Sequence, residues 1–279
     1  MIEKYSIICF MSEDSDFLFS AMTERFGVVR RARGYFLYTK KNVRLTDLYL
    51  QGGRAILGWG YGGAIGVFKN VLERKLLGNF DSEFSVQNGE KPSRLSRALS
   101  DFFETPRRAF AFSKPDGVDA VSFLKNSFGI NAVLYRPWLD SVEDVSRSNA
   151  IVFVPPFSFG DGFFLLALSP QDGSAVRSSF KIPAPLCAAL IRAIYDLKKE
   201  LPNRSEKDWF LYDTVLTKYW NRRGAYLFPK VSKEKWRDFL LHCLDCHIVI
   251  SPNINEPSIV PFGVDAGNFS LLKKNPFDF

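Results

Sequence analysis

The sequence predicts an α/β protein whose last third is α+β. Three observations carry this. In the middle of the chain, β-type apolar runs (Arg108–Phe112, Ile130–Tyr135, Asn149–Val154 and Phe163–Leu168) are interspersed with helical patterns, as in an α/β core with a parallel component. A long periodic segment, Ala184–Leu201, places Leu186, Leu190, Ile194 and Leu197 on one helical face. Near the N-terminus, two short apolar strands around a polar turn lead into a glycine-rich run that ends at Gly62-Gly63.

The elements follow in order. Tyr5–Phe10 reads as a strand and Asp16–Arg25 as a helix. Leu37 with its flanking aromatics, then Val43, Leu45 and Leu48, form the hairpin. The polar run Thr39–Asn42 turns it, with Asn42 suited to positive φ. A helix begins near Ala64 and continues to Leu77, with Ile65, Phe68, Val71 and Leu72 at helical spacing; the polar stretch Phe80–Lys91 is a loop. Arg94–Phe103 is amphipathic through Leu95, Leu99, Phe102 and Phe103, and Pro106 stops it. A Pro-Asp-Gly turn opens a helix over Asp116–Ser127. After a polar break at Pro202–Asp208 come a helix over Trp209–Trp220, a strand over Ala225–Lys230 and a helix over Lys233–Cys243. Strands at His247–Ser251 and Ser258–Pro261 follow.

Composition narrows the function. A chain of 279 residues, 46% hydrophobic and 24% charged, is an ordinary soluble globular protein, and its 27 phenylalanines read as core. The net charge of +7 is scattered among 30 acids without a basic block, which argues against specific nucleic-acid binding. Cys9, Cys187, Cys243 and Cys246 show no disulfide spacing, no signal-peptide pattern opens the chain, and no apolar run is long enough to span a membrane. The expectation is a reduced, cytoplasmic protein. His242-Cys-Leu-Asp-Cys-His247 packs four metal-type ligands into six residues, too close to surround one ion, so no metal is expected. The glycine-rich run lacks the Walker lysine and reads as close chain packing. With His242 and His247 the only histidines, no Ser/His/Asp set can be assembled.

The hairpin and turn, Gly34 to Gly58, resemble the N-terminal segment of class III, fold-type I, pyridoxal-phosphate (PLP)-dependent aminotransferases. There a strand ending in Asp precedes a hydrophobic-Leu-Gly-His turn. Here Asp47 stands at the Asp, Asn42 at the hairpin glycine, and Leu57-Gly58-Trp59 at Leu-Gly-His. Ser113-Lys-Pro-Asp-Gly-Val-Asp-Ala120 resembles the family's Ser-Gly-Thr-Glu-Ala phosphate turn. Gly117 matches the Gly and Val118 replaces the Thr, so these two are the cofactor-binding candidates the resemblance implies. Asp116 replaces the Ser, Asp119 the Glu, and the same segment reads equally as an aspartate-capped helix. Ser179, in Ser179-Phe-Lys-Ile-Pro-Ala-Pro-Leu-Cys-Ala-Ala189, stands at the Thr that reaches the PLP phosphate of a partner subunit, and is the third candidate. The C-terminal third resembles the family's small domain.

The resemblance implies a reduced large domain over 108–201 and a small α+β domain built from both chain ends. It assigns 1–107 to the N-terminal segment and part of the small domain, and 202–279 to the remainder. It also implies a homodimer, PLP as cofactor, and transamination between an amino acid and a keto acid. Two departures point to a cofactor and an activity that have been lost. PLP chemistry needs a Schiff-base lysine and an acid against the pyridine nitrogen. No strand ends in a matching acid, and no lysine occurs between Lys125 and Lys181. Lys181 is the one catalytic candidate. The chain therefore reads as a degenerate aminotransferase that binds a small molecule or a protein. The alternatives are an active enzyme using Lys181, or a partner subunit of a full-length aminotransferase.

Overall fold

The computed structural model describes residues 13–76, 83–84, 92–113, 118–159, 162–172 and 176–279. The expected strand Tyr5–Phe10 and most of the loop Phe80–Lys91 lie outside them. The N-terminal elements are α1 (Glu13–Phe26), β1 (Val29–Arg33), β2 (Phe36–Thr39), β3 (Arg44–Asp47), α2 (Ala64–Glu73) and α3 (Arg94–Phe103). The middle of the chain holds β4 (Arg108–Ser113), α4 (Ala120–Phe128), β5 (Val133–Tyr135), α5 (Val142–Ser146), β6 (Ala150–Phe153), β7 (Phe163–Leu168) and α6 (Ala184–Glu200). Last come α7 (Glu206–Phe210), α8 (Asp213–Leu216), β8 (Trp220–Arg223), β9 (Tyr226–Pro229), α9 (Trp236–Asp245), β10 (Ile248–Val249), β11 (Ser258–Ile259) and α10 (Ser270–Lys274).

The central sheet has the order β4-β7-β6-β5. Its two inner strands are apolar at every position, and every residue of both is buried, because helices cover both faces. One face (Ala109, Ala111, Ile151, Phe153, Leu165) packs with Phe102 and Phe103 of α3 and with α6. The other (Phe110, Phe112, Val152, Phe164, Leu166) packs with Leu124 of α4. The parallel component is confined to β5 and β6, and β7 runs antiparallel to both neighbours. The short 154–162 connection reverses the chain directly into β7, with no room for a crossover helix. β4, β5 and β6 therefore end at the same edge of the sheet, at Ser113, Tyr135 and Phe153.

The two chain ends meet as expected. β10 pairs in parallel with β3 in the sheet β1-β2-β3-β10, and the Ile259 amide donates to the Leu48 carbonyl at 2.7 Å. Asn42 takes the positive φ expected of the hairpin turn (61°). The expected helix Trp209–Trp220 is instead two short helices followed by a strand. A capping box from Ser205 and Asp208 starts α7, and Asp213 is held by Arg222, with Arg222 Nη2 2.8 Å from Asp213 Oδ2. Trp220 pairs with Pro229 and is fully buried.

The β8–β9 turn docks on the large sheet's β5–α5 connection. Gly224 has φ +52°, and a Cβ there would lie 1.9 Å from the Trp138 carbonyl oxygen. Trp138 itself is left-handed at φ 60°, and its indole donates to Leu201 O at 3.2 Å. Substituting Gly224→Ala should therefore lower the unfolding free energy by roughly 2–4 kcal/mol, from backbone displacement plus left-handed strain. A urea midpoint equal to wild type would show that the hairpin does not sit on Trp138.

Candidate functional site

Asp47 closes β3 and is almost wholly buried, at 1% exposure. Its Oδ1 accepts from the amides of Tyr49 and Leu50, both at 2.9 Å, and its Oδ2 accepts from Trp59 Nε1 at 2.8 Å. Burial pushes its carboxyl up to about 6, against the pull of these three donors. The backbone of Trp59 pairs with that of Gly34, N to O at 2.6 Å and O to N at 3.0 Å. Gly58 permits this approach: its φ is +100°, and a Cβ would stand 3.4 Å from the Gly34 backbone. The glycine-rich run is thus a close-packing device, as expected. Beyond it, the Gly63 amide donates to Asp196 Oδ2 of α6 at 3.1 Å.

Of the remaining sequence candidates, the sheet edge at Ser113 holds Ser179. Gly117, with Asp116, lies outside the described residues. Val118 is 40% exposed. Asp119 caps α4, accepting from the amides of Val121 (3.0 Å) and Ser122 (2.9 Å). The side-chain and backbone bonds from Ser122 hold its carboxyl below the usual range. Residues 178–180 lie along the free edge of β4. The amides of Ser179 and Phe180 both donate to Ala111 O, and Ser179 Oγ accepts from the Ser113 amide at 3.2 Å. Ser179 thus stands beside Ser113, the first residue of the candidate phosphate turn of its own chain. Lys181 follows with an exposed side chain. The Phe180 ring stacks on Phe163 at 4.8 Å and 2°. The Arg54 guanidinium lies 5.1 Å from the Phe163 ring and donates to its carbonyl. Arg54 is buried, and Phe163 pairs with Ser113, so Arg54, Phe163 and Phe180 fill the ground between the glycine-rich run and this edge.

A cleft of about 320 Å³ opens on the other side of the glycine-rich run, lined among others by Tyr35, Trp59, Tyr61, Phe262, Glu200 and Arg204. Arg204, 2% exposed at its side chain, donates from Nη1 to Tyr35 Oη at 2.8 Å and pairs with Glu200 Oε2 at 3.4 Å. Its guanidinium lies over Phe262 (4.3 Å), Trp138 (4.9 Å) and Tyr61 (5.9 Å). Burial and the bond to Glu200 push the Tyr61 hydroxyl up to about 12. Burial pushes Glu200 up, but the Tyr61 bond and the Arg204 charge together hold it below the usual range. Aromatic walls around a buried ion pair are features that small-molecule sites share.

No family model matches the chain. An uncharacterized protein of Treponema pallidum is 29% identical over 284 residues, covering 85% of this chain and 90% of the relative. An uncharacterized protein of Borreliella burgdorferi is 26% identical, covering 88% and 89%. Among solved structures, the ornithine δ-aminotransferase of Plasmodium falciparum superposes with a TM-score of 0.59 at 9% identity, covering 95% of this chain and 97% of that one. The N-acetylornithine aminotransferase of Stenotrophomonas maltophilia gives 0.57 at 14% identity (90% and 94%). A glutamate-1-semialdehyde aminomutase of Pseudomonas aeruginosa gives 0.56 at 10% (88% and 86%). The fold is that of the class III aminotransferases.

Within the aminotransferase fold, the residues at the sheet edge do not fit PLP. β5 runs into Arg136 and β6 into Pro155-Pro156, so neither ends in an acid that could face a pyridine nitrogen. The 154–162 connection contains no lysine. The first free amides of α4, which could hold a phosphate, are taken by the Asp119 carboxylate. Sequence reasoning missed Arg54, whose signal was a single charge inside the glycine and apolar run Gly52–Gly58. It also missed Arg204, which the polar break at Pro202–Asp208 concealed.

Asp47 gives a pH test. Its folded value of about 6 lies above the unfolded value of about 3.9, so the folded state keeps a proton that the unfolded state releases between those limits. Its contribution to stability should therefore fall as pH rises from 4 to 6, by roughly 3 kcal/mol. Asp47→Asn, which cannot ionise, should lack this slope. The check is the difference in unfolding free energy, wild type minus variant, across that window, and a flat difference would rule out the shifted carboxyl.

Proposed function

We propose that this chain is a degenerate aminotransferase-like protein that has no transaminase activity and no longer uses PLP, and that it works in the cytoplasm as a homodimer binding a small molecule or a protein. The observation that carries this reading is the Arg54–Phe163–Phe180 column. It fills the sheet edge beside Ser113 and Ser179 with the protein's own side chains, where the described residues also supply no terminal acid and no lysine turn. The ligand seat that remains is the aromatic cleft over Arg204. The homodimer is supported by the outer face of α2. Ile65 and Leu72 are 42% and 40% exposed there, and Phe159, 50% exposed, stacks against Phe68 of the same helix.

Two experiments test the reading. PLP added to the purified protein, with borohydride reduction and mass mapping, should give no visible absorbance band and no reduced adduct on any lysine. A single adduct on Lys181, abolished by Lys181→Ala, would instead establish the active-enzyme alternative. Ile65→Glu with Leu72→Glu should shift sedimentation from dimer to monomer while the circular dichroism spectrum stays unchanged. A dimer that survives both charges would remove α2 from the interface.

A further inference from the structure

Arg107, in the link between α3 and β4, is 4% exposed. Its Nε donates to Thr105 Oγ1 at 3.1 Å, its Nη1 to the carbonyls of Ser148 (2.7 Å) and Asn149 (3.2 Å), and its Nη2 to that of Ser146. Every one of these acceptors is neutral. Burial alone lowers its pKa, with no contribution from a carboxylate. Two arginines with buried side chains differ: Arg204 faces Glu200, and Arg222 faces Asp213 and Glu206. Capping the last carbonyl of α5 and the carbonyls of the turn after it explains the bonds Arg107 makes. It does not explain why a buried charge has no counter-charge, an arrangement that costs stability unless something supplies one.

The surroundings suggest what supplies it. Arg107 lines a cleft of about 330 Å³ with Arg147, Ser148, Asn149, Ser169 and Gln171 among its walls, and no Asp or Glu is among the described residues that line it. Arg147 is 71% exposed and held only by Glu143 Oε1 (3.0 Å) and Asp144 Oδ1 (3.5 Å), which are themselves exposed. Solvent-facing pairs of this kind exchange readily for a ligand. The cleft lies where β4 and β6 begin and β7 ends, at the opposite end of the sheet from Ser113 and Ser179. It is therefore separate from both the aminotransferase-type edge and the aromatic cleft.

We propose that this cleft is a binding site for a small oxyanion-bearing metabolite, a phosphate monoester or a carboxylate, with Arg107 as the buried countercharge and Arg147 as the cation at the rim. The guanidinium fork of Arg147 suits either group, Arg107 adds its charge from behind while keeping its own bonds, and Ser148, Ser169 and Gln171 offer neutral donors around the cleft.

The test is thermal unfolding and titration calorimetry of the whole chain with inorganic phosphate, citrate and chloride at matched ionic strength. Phosphate or citrate should raise the unfolding temperature saturably, as a ligand of the native state alone does. A response to phosphate only assigns the phosphate monoester, and one to citrate only assigns the carboxylate. Arg107 variants are open to misfolding, so two others carry the test. Arg147→Ala should weaken binding at least fivefold, and Asn149→Asp, which places a carboxylate at the cleft, should abolish it. A shift no larger than that from chloride overturns the proposal, as does a saturable shift that neither variant alters.

Discussion

The N-terminal half of the fold depends on one buried carboxylate. Asp47 sits where β3, the glycine-rich run and the incoming β10 converge, since β10 pairs with β3 and sets Val249 opposite Asp47 itself. One oxygen gathers two turn amides and the other anchors Trp59, so a single side chain fixes both the exit from the strand and the return of the chain beside Gly34. Removing it would orphan three donors in an apolar setting, a larger loss than any one hydrogen bond. The indole is a sufficient partner because Asp47 needs only a rigid N–H. Titration by a ring in that position is not required for the structural task.

The parts of the fold that were legible in the sequence are those where local pattern and tertiary fate agree. Phe163–Leu168 could be bounded from its apolar run because both of its faces are covered, and Arg94–Phe103 from its one-sided stripe. β1, with the sequence Val-Arg-Arg-Ala-Arg, gave no such signal, because it is an exposed edge strand selected only by pairing with β2. The split of 209–220 was hidden for a related reason. Trp220 and Arg222 become strand residues through pairing with β9 and, for Arg222, through ion pairs with Asp213 and Glu206, contacts that helical periodicity over 209–220 does not register. Direction was hidden too, since an apolar run does not reveal whether it runs parallel or antiparallel.

The site shows the same division. Resemblance pointed to Ser179 and the segment before α4, and the fold sets Ser179 against Ser113, the first residue of that segment. What occupies that edge could not be read from spacing. Arg54, Phe163 and Phe180 are separated by more than a hundred residues at their extremes and become one packed column only through the β4–β7 register and the course of the glycine-rich run. A stack of arginine on phenylalanine on phenylalanine needs neither cofactor nor lysine to be stable.

The contact of the Gly224 turn with the Trp138 carbonyl bears on kinetics as well as stability. Trp138 is held from several sides: its indole is tied to the end of α6, its ring lies against Trp209 and Arg204, and its backbone is pressed by the hairpin. Such a joint leaves no soft dihedral about which the C-terminal hairpin could swing against the large sheet. The aromatic cleft beside Arg204 thus borders on a fixed joint. A ligand bound there as proposed would be paced by diffusion and desolvation and not by a swing of the hairpin.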